Sequence, residues 1–361
     1  MSLHNLADQQ AFQAASAVDH ARSLGRSTLD HPGGLDDHRA RPIVSRGSLG
    51  RRHSDRGMPV SNTPMVSLAD IEALEQRCPD IDAQLCSTYE LLARSAAKSP
   101  DSPALSFFPR VEDFAAPRVW SHRAWLERIT RTANMFRRLG VMRGDVVAYV
   151  LPNLPQTHWV IWGAETSGVA FAVNPLLDAQ NIRELLRSAS ARWLVTLAPM
   201  PGQDLWERLS AIAGDVPTLR GLLAVNASMT PLPASIGALP VHDFDALVDA
   251  APGDALEYAP PQATDVASYF CTGGTTGLPK IAVRTHATEC ANALQVAAML
   301  GNEVMAPEHA TFCGLPLFHV NAQIGTGLAP WSQCGHVVLG TPLGYRTPGL
   351  TASGKLSSTI D

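Results

Sequence analysis

The chain has 361 residues, enough for two domains or one large domain, and its formal net charge is −5. This weakly acidic balance gives no general attraction for nucleic acid or anionic membranes, so no nucleic-acid partner is expected. No uninterrupted apolar run reaches the roughly 18 residues that a membrane helix needs. The six cysteines form no Cys-x-x-Cys pair and have no histidine cluster at zinc spacing, so we predict reduced thiols in a cytoplasmic protein and no metal-ligating residues.

The first 57 residues differ in composition from the rest of the chain. They contain eight arginines, no lysine and five of the twelve histidines, with few aliphatic residues in any periodic arrangement. Such a segment cannot build a core, so disorder is expected. Six aspartates argue against a transit peptide, and no apolar h-region supports a secretory signal. We interpret residues 1–57 as a disordered or spurious extension, with Met58 or Met65 as an alternative first residue.

Regular structure is predicted from Ser87 onward. The pattern Ser-Thr-Tyr-Glu is a capping box that opens a helix ending at Lys98. A strand at 104–108 is followed by an amphipathic helix between Ser121 and Gly140. The runs that follow predict strands at 146–151, 169–173, 193–197 and 221–225, alternating with helices at 157–166, 181–190 and 204–213.

This alternation of strands and helices predicts a doubly wound α/β fold with a mostly parallel sheet. Residues 226–263 are rich in Pro, Ala and Asp, and they are predicted to form an irregular connection between two subdomains. Two short β-type runs, 266–271 and 281–283, then flank a segment rich in glycine and threonine.

That segment, residues 272–280, reads Thr-Gly-Gly-Thr-Thr-Gly-Leu-Pro-Lys. The glycines let the backbone approach a ligand closely, N–H groups and threonine hydroxyls can donate hydrogen bonds, and the lysine supplies positive charge. These features predict a polyphosphate-binding loop. The alternative is a flexible hairpin without a binding role, in which the lysine is incidental. A Walker A loop is disfavoured, because Leu278 and Pro279 separate the last glycine from Lys280.

The order of residues in this loop resembles the phosphate-binding signature of the adenylate-forming superfamily, which includes acyl-CoA synthetases, luciferases and peptide-synthetase adenylation domains. The usual form of that signature is Thr-Ser-Gly-Thr-Thr-Gly-x-Pro-Lys, and a glycine replaces its serine here. The resemblance implies a set of nucleotide-binding residues, which are Thr272, Gly273, Gly274, Thr275, Thr276, Gly277 and Lys280.

A second segment agrees with this resemblance. Residues 316–319 read Pro-Leu-Phe-His, the form of the superfamily's next core motif. The resemblance implies that His319 is a catalytic residue beside the acyl pocket and the reacting carboxylate, and that Asn321 helps to shape that pocket. Outside this context, a lone histidine on an apolar face is more often a satisfied core residue.

Residues 145–177 also resemble the superfamily, through Leu-Pro-Asn at 151–153 and Val-Asn-Pro-Leu at 173–176. We interpret this segment as scaffold. The resemblance runs from about Ser87 to Leu350 and is nearest to fatty or medium-chain acyl-CoA synthetases. It implies the layered, mostly parallel α/β sheets of the N-terminal large domain of an acyl-adenylate-forming enzyme.

The reaction implied by the resemblance has two steps. A carboxylate, expected to be a fatty acid, attacks the α-phosphorus of ATP and releases pyrophosphate. A thiol, usually that of coenzyme A, then displaces AMP. Charge develops on the phosphates in the first step, and N–H donors, Lys280 and Mg²⁺ would stabilise it. The expected cofactors are therefore ATP, Mg²⁺ and coenzyme A, while the oligomeric state is not indicated.

The later motifs of the superfamily are absent from this sequence. These are the Tyr-Gly-x-Thr-Glu segment, the ribose-binding aspartate, the hinge and the C-terminal domain with its lysine. Residues 351–361 change abruptly to small polar residues, which a frameshift or premature stop near codon 351 would explain. We therefore predict an extension at 1–57, a partial AMP-binding (adenylation) domain at 58–350, a non-homologous tail at 351–361, and a missing C-terminal part.

Two functional hypotheses remain open at this point. The first is an acyl-CoA synthetase fragment that is inactive alone and prone to aggregation. The second is a catalytically dead nucleotide- or acyl-binding remnant. A P-loop NTPase is a distant third, because its motif requires a different spacing of glycine and lysine.

Overall fold

The structure is a computed structural model, and it describes residues 67–75, 84–110, 113–226, 229–271, 280–301 and 305–340. The predictions for 1–57, for 272–279 and for 351–361 therefore lie outside the described residues. Within the described ranges, no helix combines the length and the apolar character needed to cross a lipid bilayer.

The secondary-structure elements of these ranges are numbered in chain order. The helices are α1 (Leu68–Glu75), α2 (Thr88–Lys98), α3 (His122–Arg138), α4 (Pro155–Ser167), α5 (Ala179–Ser188), α6 (Leu205–Ala213), α7 (Phe244–Asp249), α8 (His286–Leu300), α9 (Val320–Gln323) and α10 (Ala329–Ser332). The strands are β1 (Pro103–Phe108), β2 (Arg118–Ser121), β3 (Val146–Val150), β4 (Val169–Ala172), β5 (Ala191–Leu197), β6 (Gly221–Val225), β7 (Ser235–Ile236), β8 (Leu239–Asp243), β9 (Val266–Cys271), β10 (Ile281–Thr285), β11 (Ala310–Cys313) and β12 (His336–Gly340). A π-helical turn, Ile324–Leu328, joins α9 to α10.

The strands form two sheets. The larger has the order β10-β9-β4-β3-β5-β6-β8-β7 and is parallel except at its edges, where β10 and β7 run antiparallel to their neighbours. The smaller has the order β11-β12-β1-β2, and only β2 is antiparallel in it. Every residue of β3 is buried, as expected for a parallel strand covered by helices on both faces of its sheet.

The elements predicted between Ser87 and 225 are confirmed, apart from shifts of a few residues at their ends. Helix α2 begins as its capping pattern indicates, because the Ser87 hydroxyl accepts a hydrogen bond from the Glu90 N–H at 3.1 Å. Helix α3 begins after Ser121, whose hydroxyl accepts from the Ala124 N–H at 3.3 Å. Gly140, at φ 81°, takes the left-handed conformation that ends the run.

The prediction of an irregular connection over 226–263 is wrong for residues 235–249. Strands β7 and β8 form a hairpin there, and α7 follows it. Strand β8 pairs in parallel with β6 and so extends the larger sheet. Gly237, at φ 58°, allows the tight turn between the two strands. These strands are short, and β8 contains Pro240. The sequence therefore shows no alternation of apolar and polar residues that would predict them.

An aromatic cluster packs α3, α4 and α10 together. The His158 ring lies 5.8 Å from the Trp125 ring and 5.0 Å from the Trp331 ring, edge to face in both cases. Burial lowers the pKa of His158 to about 3, so the ring is neutral. The Trp331 indole donates a hydrogen bond to the Ala104 carbonyl at 2.8 Å, which ties the cluster to β1 of the smaller sheet. This histidine is therefore a core residue.

Helices α3 and α4 approach each other closely at Gly163. A Cβ atom at this position would lie 2.6 Å from Thr132 Cγ2 and 3.2 Å from the backbone nitrogen of Ala133. We predict that Gly163→Ala lowers the free energy of unfolding by about 1–3 kcal/mol, because the helices must move apart. Urea denaturation measures this change.

Gly214→Ala is the matched control, since nothing lies within 4 Å of its added Cβ and its φ of −63° suits any residue. Its effect should stay within about 0.5 kcal/mol of zero or be slightly stabilising. Equal losses for the two variants would contradict the close approach at Gly163.

Candidate active site

Three neighbouring strands of the larger sheet end at the same edge. Strands β3, β4 and β9 are parallel, so their carboxyl ends lie side by side. The turn at 151–153 follows β3, and residues 272–280 follow β9. Ligands of open α/β sheets bind outside the carboxyl ends of the strands. The fold therefore brings the start of the predicted phosphate loop and the Leu-Pro-Asn turn to one edge.

Lys280 lies at the far end of that loop. It is exposed and directly precedes β10, whose first residue, Ile281, pairs with Cys271 at the end of β9. The lysine is thus at the base of the hairpin, on the edge where β9 ends. The other predicted nucleotide-binding residues lie outside the described residues, and they are Thr272, Gly273, Gly274, Thr275, Thr276 and Gly277.

His319 is the residue that opens α9. Its backbone N–H donates to the Pro316 carbonyl at 3.0 Å, and its own carbonyl accepts from the Ala322 N–H at 3.1 Å, so its main chain is fixed. The imidazole is exposed and lies against the Phe318 ring at a centroid distance of 4.4 Å. Partial burial lowers the pKa of His319 below its usual value, so the side chain is neutral at pH 7. A neutral imidazole can donate one hydrogen bond to a carboxylate.

Asn153 holds the segment before His319 from the other sheet. Its amide nitrogen donates to the Leu315 carbonyl at 2.8 Å, and its amide oxygen accepts from the Leu317 N–H at 2.9 Å. Asn153 is buried, so each of these bonds replaces one that water would otherwise provide. The Leu-Pro-Asn turn and the Pro-Leu-Phe-His motif are therefore joined directly.

Tyr149 and Gln323 complete this connection. The Tyr149 hydroxyl donates to the Leu317 carbonyl at 2.9 Å and accepts from the Gln323 amide at 2.6 Å, and the same amide reaches the Leu317 carbonyl at 2.6 Å. Burial raises the pKa of Tyr149 well above its usual value, so the hydroxyl stays protonated. We call Tyr149, Asn153 and Gln323 the loop latch.

The residues of the loop latch are not among the site residues predicted from the sequence. Residues 145–177 were interpreted as scaffold, and Gln323 was assigned no role. The available signals were a tyrosine inside the apolar strand β3 and an asparagine three residues after its end. Lys280 and His319 are placed on different sheets, since Lys280 precedes β10 of the larger sheet and His319 follows β11 of the smaller one. Among the described residues, no group of three or more His, Cys, Asp or Glu side chains could hold a metal ion.

The AMP-binding enzyme family matches residues 92–351 of this chain, a range that contains the phosphate loop, the loop latch and His319. The chain belongs to this family. Its relatives include the marinolic acid–CoA ligase of Pseudoalteromonas sp. strain SANK 73390, which is 29% identical over 79% of this chain and 42% of the relative. The 4-coumarate–CoA ligase 2 of Oryza sativa subsp. japonica is 29% identical over 69% of this chain and 43% of the relative.

Among solved structures, the anthranilate CoA ligase AuaEII in complex with anthranoyl-AMP has a similar fold, with a TM-score of 0.57 and 22% identity. The similarity covers 73% of this chain and 46% of that one. The predicted α/β fold, with its layered and mostly parallel sheets, is thereby confirmed. The chain spans less than half the length of each of these three proteins.

We predict that Asn153→Ala loosens the segment before His319. Two backbone groups, the Leu315 carbonyl and the Leu317 N–H, lose their partners, at a cost of about 1–3 kcal/mol in the free energy of unfolding. Chymotrypsin, which cuts after aromatic residues, should then cut faster between Phe318 and His319, which mass spectrometry of the fragments measures.

Asn134→Ala is the matched control for this experiment. Asn134 is also buried and also holds a distant loop, through the Pro252 and Ala255 carbonyls and the Glu257 N–H. Its loss should cost similar stability without faster cleavage after Phe318. If both variants are cut equally fast there, Asn153 does not specifically hold this segment.

Proposed function

We propose that this chain is the nucleotide- and carboxylate-binding part of a CoA ligase. Such a ligase activates a carboxylic acid with ATP to an acyl-adenylate and then transfers the acyl group to coenzyme A. The observation that carries the proposal is the loop latch, because it joins the sheet edge that bears the phosphate loop to the segment that bears His319. A nucleotide phosphate and a carboxylate must meet in the first step, and this arrangement supports their meeting at one edge.

The proposed roles follow from the chemistry of each group. Lys280 and the residues 272–277 would bind the β- and γ-phosphates of ATP and stabilise the charge that develops on the leaving pyrophosphate. His319, which is neutral, would orient the carboxylate by donating a hydrogen bond to one oxygen and leaving the other free to attack the α-phosphorus. Partial water exclusion beside Phe318 would strengthen that bond.

The other predicted components have less support from the described residues. No cluster of three acidic, histidine or cysteine side chains occurs among them, so we assign no residue of this chain to Mg²⁺. Coenzyme A is proposed from the family and the relatives, which are CoA ligases. A fatty acid remains our proposed substrate, although the named relatives act on marinolic acid and 4-coumarate and the structural neighbour on anthranilate.

We propose the same three regions that the sequence predicts, which are an extension at 1–57, a partial AMP-binding domain at 58–350 and a non-homologous tail at 351–361. The second candidate function is binding of nucleotide or acyl group without turnover. Pyrophosphate release in the presence of ATP and a carboxylic acid separates the two functions, since binding alone releases none.

Lys280→Ala tests the nucleotide part of the proposal. Loss of one charged donor to phosphate should weaken ATP binding by about 10- to 100-fold, measured by isothermal titration calorimetry. Lys98→Ala is the matched control, because Lys98 is an exposed lysine at the end of α2 and its loss changes the net charge equally. Equal affinity of the two variants for ATP would exclude Lys280 from the site.

His319→Ala tests the carboxylate part. We expect it to weaken binding of an acyl-sulfamoyl-adenosine, a stable analogue of the adenylate, by about tenfold while ATP binding changes less than threefold. His309→Ala, at an exposed histidine between α8 and β11, should change neither affinity. A loss of ATP binding equal to the loss of analogue binding would mean that His319 does not act on the acyl portion.

A further inference from the structure

Two glutamates outside the site described above are completely buried. Glu165 lies in the last turn of α4, and Glu289 lies in the first turn of α8. Their carboxyl groups are within hydrogen-bonding reach of each other. Two buried carboxylates at this distance would repel strongly, so the pair requires a proton or added positive charge.

Glu289 connects both strands of the hairpin that carries the phosphate loop. Its Oε1 accepts a hydrogen bond from the Ser268 hydroxyl on β9 and another from Arg284 Nε on β10, the latter at 3.3 Å. Residues 272–280 join these two strands. One carboxylate oxygen therefore fixes β9 and β10 relative to the start of α8.

Glu165 connects the same cluster to α4 and α2. Its Oε2 accepts from the Thr88 hydroxyl at 2.8 Å. The Thr88 N–H donates to His286 Nδ1 at 3.2 Å, so the first residue of α8 is held as well. Burial lowers the pKa of His286 to about 4, and its ring is neutral at pH 7.

The remaining oxygens of the pair indicate where a proton lies. Neither Glu165 Oε1 nor Glu289 Oε2 accepts a hydrogen bond from any other N–H or O–H of the described residues. A single proton between the two carboxyl groups satisfies both oxygens. Burial and the neighbouring Glu289 raise the pKa of Glu165 well above its usual value, whereas Ser268 and Arg284 oppose the rise at Glu289. The pKa of both carboxyl groups is raised, so the pair retains one proton.

We propose that Glu165 and Glu289 share one proton and that this bond holds strands β9 and β10 in the position from which the chain binds nucleotide. Both are positioning residues, since they act through the hairpin. This inference depends on the proposed function in one respect only, namely that the ligand is a nucleotide.

Among the groups around Glu165 and Glu289, one positive charge is in direct contact and can compensate one negative charge on the pair. Arg284 contacts Glu289 directly, and the Arg143–Asp265 ion pair, at 3.4 Å, lies near His286. Three other titratable groups near the pair are neutral at pH 7, and they are Tyr149 on β3 and His286 and Cys290 on α8. Loss of the shared proton would leave two negative charges beside one arginine.

Glu165→Gln is the variant that tests the proton. Its amide can donate to Glu289 as the acid does, but it does not titrate. In the unchanged chain, the folded pKa of Glu165 is above the unfolded one. The folded state therefore binds more protons, and stability falls as pH rises from about 4.5 toward the folded pKa, by up to tenfold in the unfolding constant per pH unit. Glu165→Gln should remove that fall.

Urea denaturation between pH 5 and 9 measures these slopes, with Glu257→Gln as the control. Glu257 is a surface glutamate paired with Arg138, and its loss should leave the slope unchanged. A slope in Glu165→Gln equal to that of the unchanged chain would overturn the proposal. If this variant does not fold, infrared spectra of the unchanged chain decide: a carboxylic acid C=O band should persist at pH 8, and its absence overturns the proposal.

ATP affinity measured over the same pH range tests the positioning role. We expect the unchanged chain to lose affinity at least tenfold when the shared proton is lost, and Glu165→Gln to keep its affinity within threefold. Parallel loss in both chains would overturn the positioning role. If the unchanged chain binds no ATP at any pH, the proposed function fails, whereas the stability slopes still report on the shared proton.

Discussion

The two hydrogen bonds of Asn153 are the constraint on which the geometry of the candidate site depends. They join the carboxyl end of β3, at the centre of the larger sheet, to the backbone before His319, which follows a strand of the smaller sheet. Asn153 and Leu317 are buried, so the bond between them has no competing water and either group would be costly to leave unpaired. The position of His319 is thereby set by the larger sheet rather than by its own short helix.

The buried carboxyl pair plays the same part for the other half of the site. Glu289 holds β9 and β10, and Glu165 links that hairpin to α4. The two networks are neighbours, because both glutamates act on the pKa of Tyr149, a member of the loop latch. Polar groups in such a low-dielectric interior must all be satisfied, so a change in one network is expected to affect the other.

Much of this fold could be predicted from the sequence, since β3 is a continuous apolar run and α3 carries a clear apolar stripe between a serine cap and Gly140. The β7–β8 hairpin could not, because it is stabilised by pairing with β6 and its own strands are short. Similarly, the motifs identified Lys280 and His319 as candidates, but no pattern reveals the contact between Asn153 and Leu317, which are distant in sequence. The role of Glu289 likewise depends on contacts among three elements, α8, β9 and β10.

The central proposal is that nucleotide binds at the sheet edge where β3, β4 and β9 end and to which the loop latch ties the segment before His319. Peptide-level hydrogen–deuterium exchange of the full chain, with and without ATP, tests this claim most directly. The account predicts slower exchange with ATP in peptides that cover 266–285 and 314–323. Unchanged exchange in both regions at saturating ATP, with protection elsewhere in the chain, would contradict it.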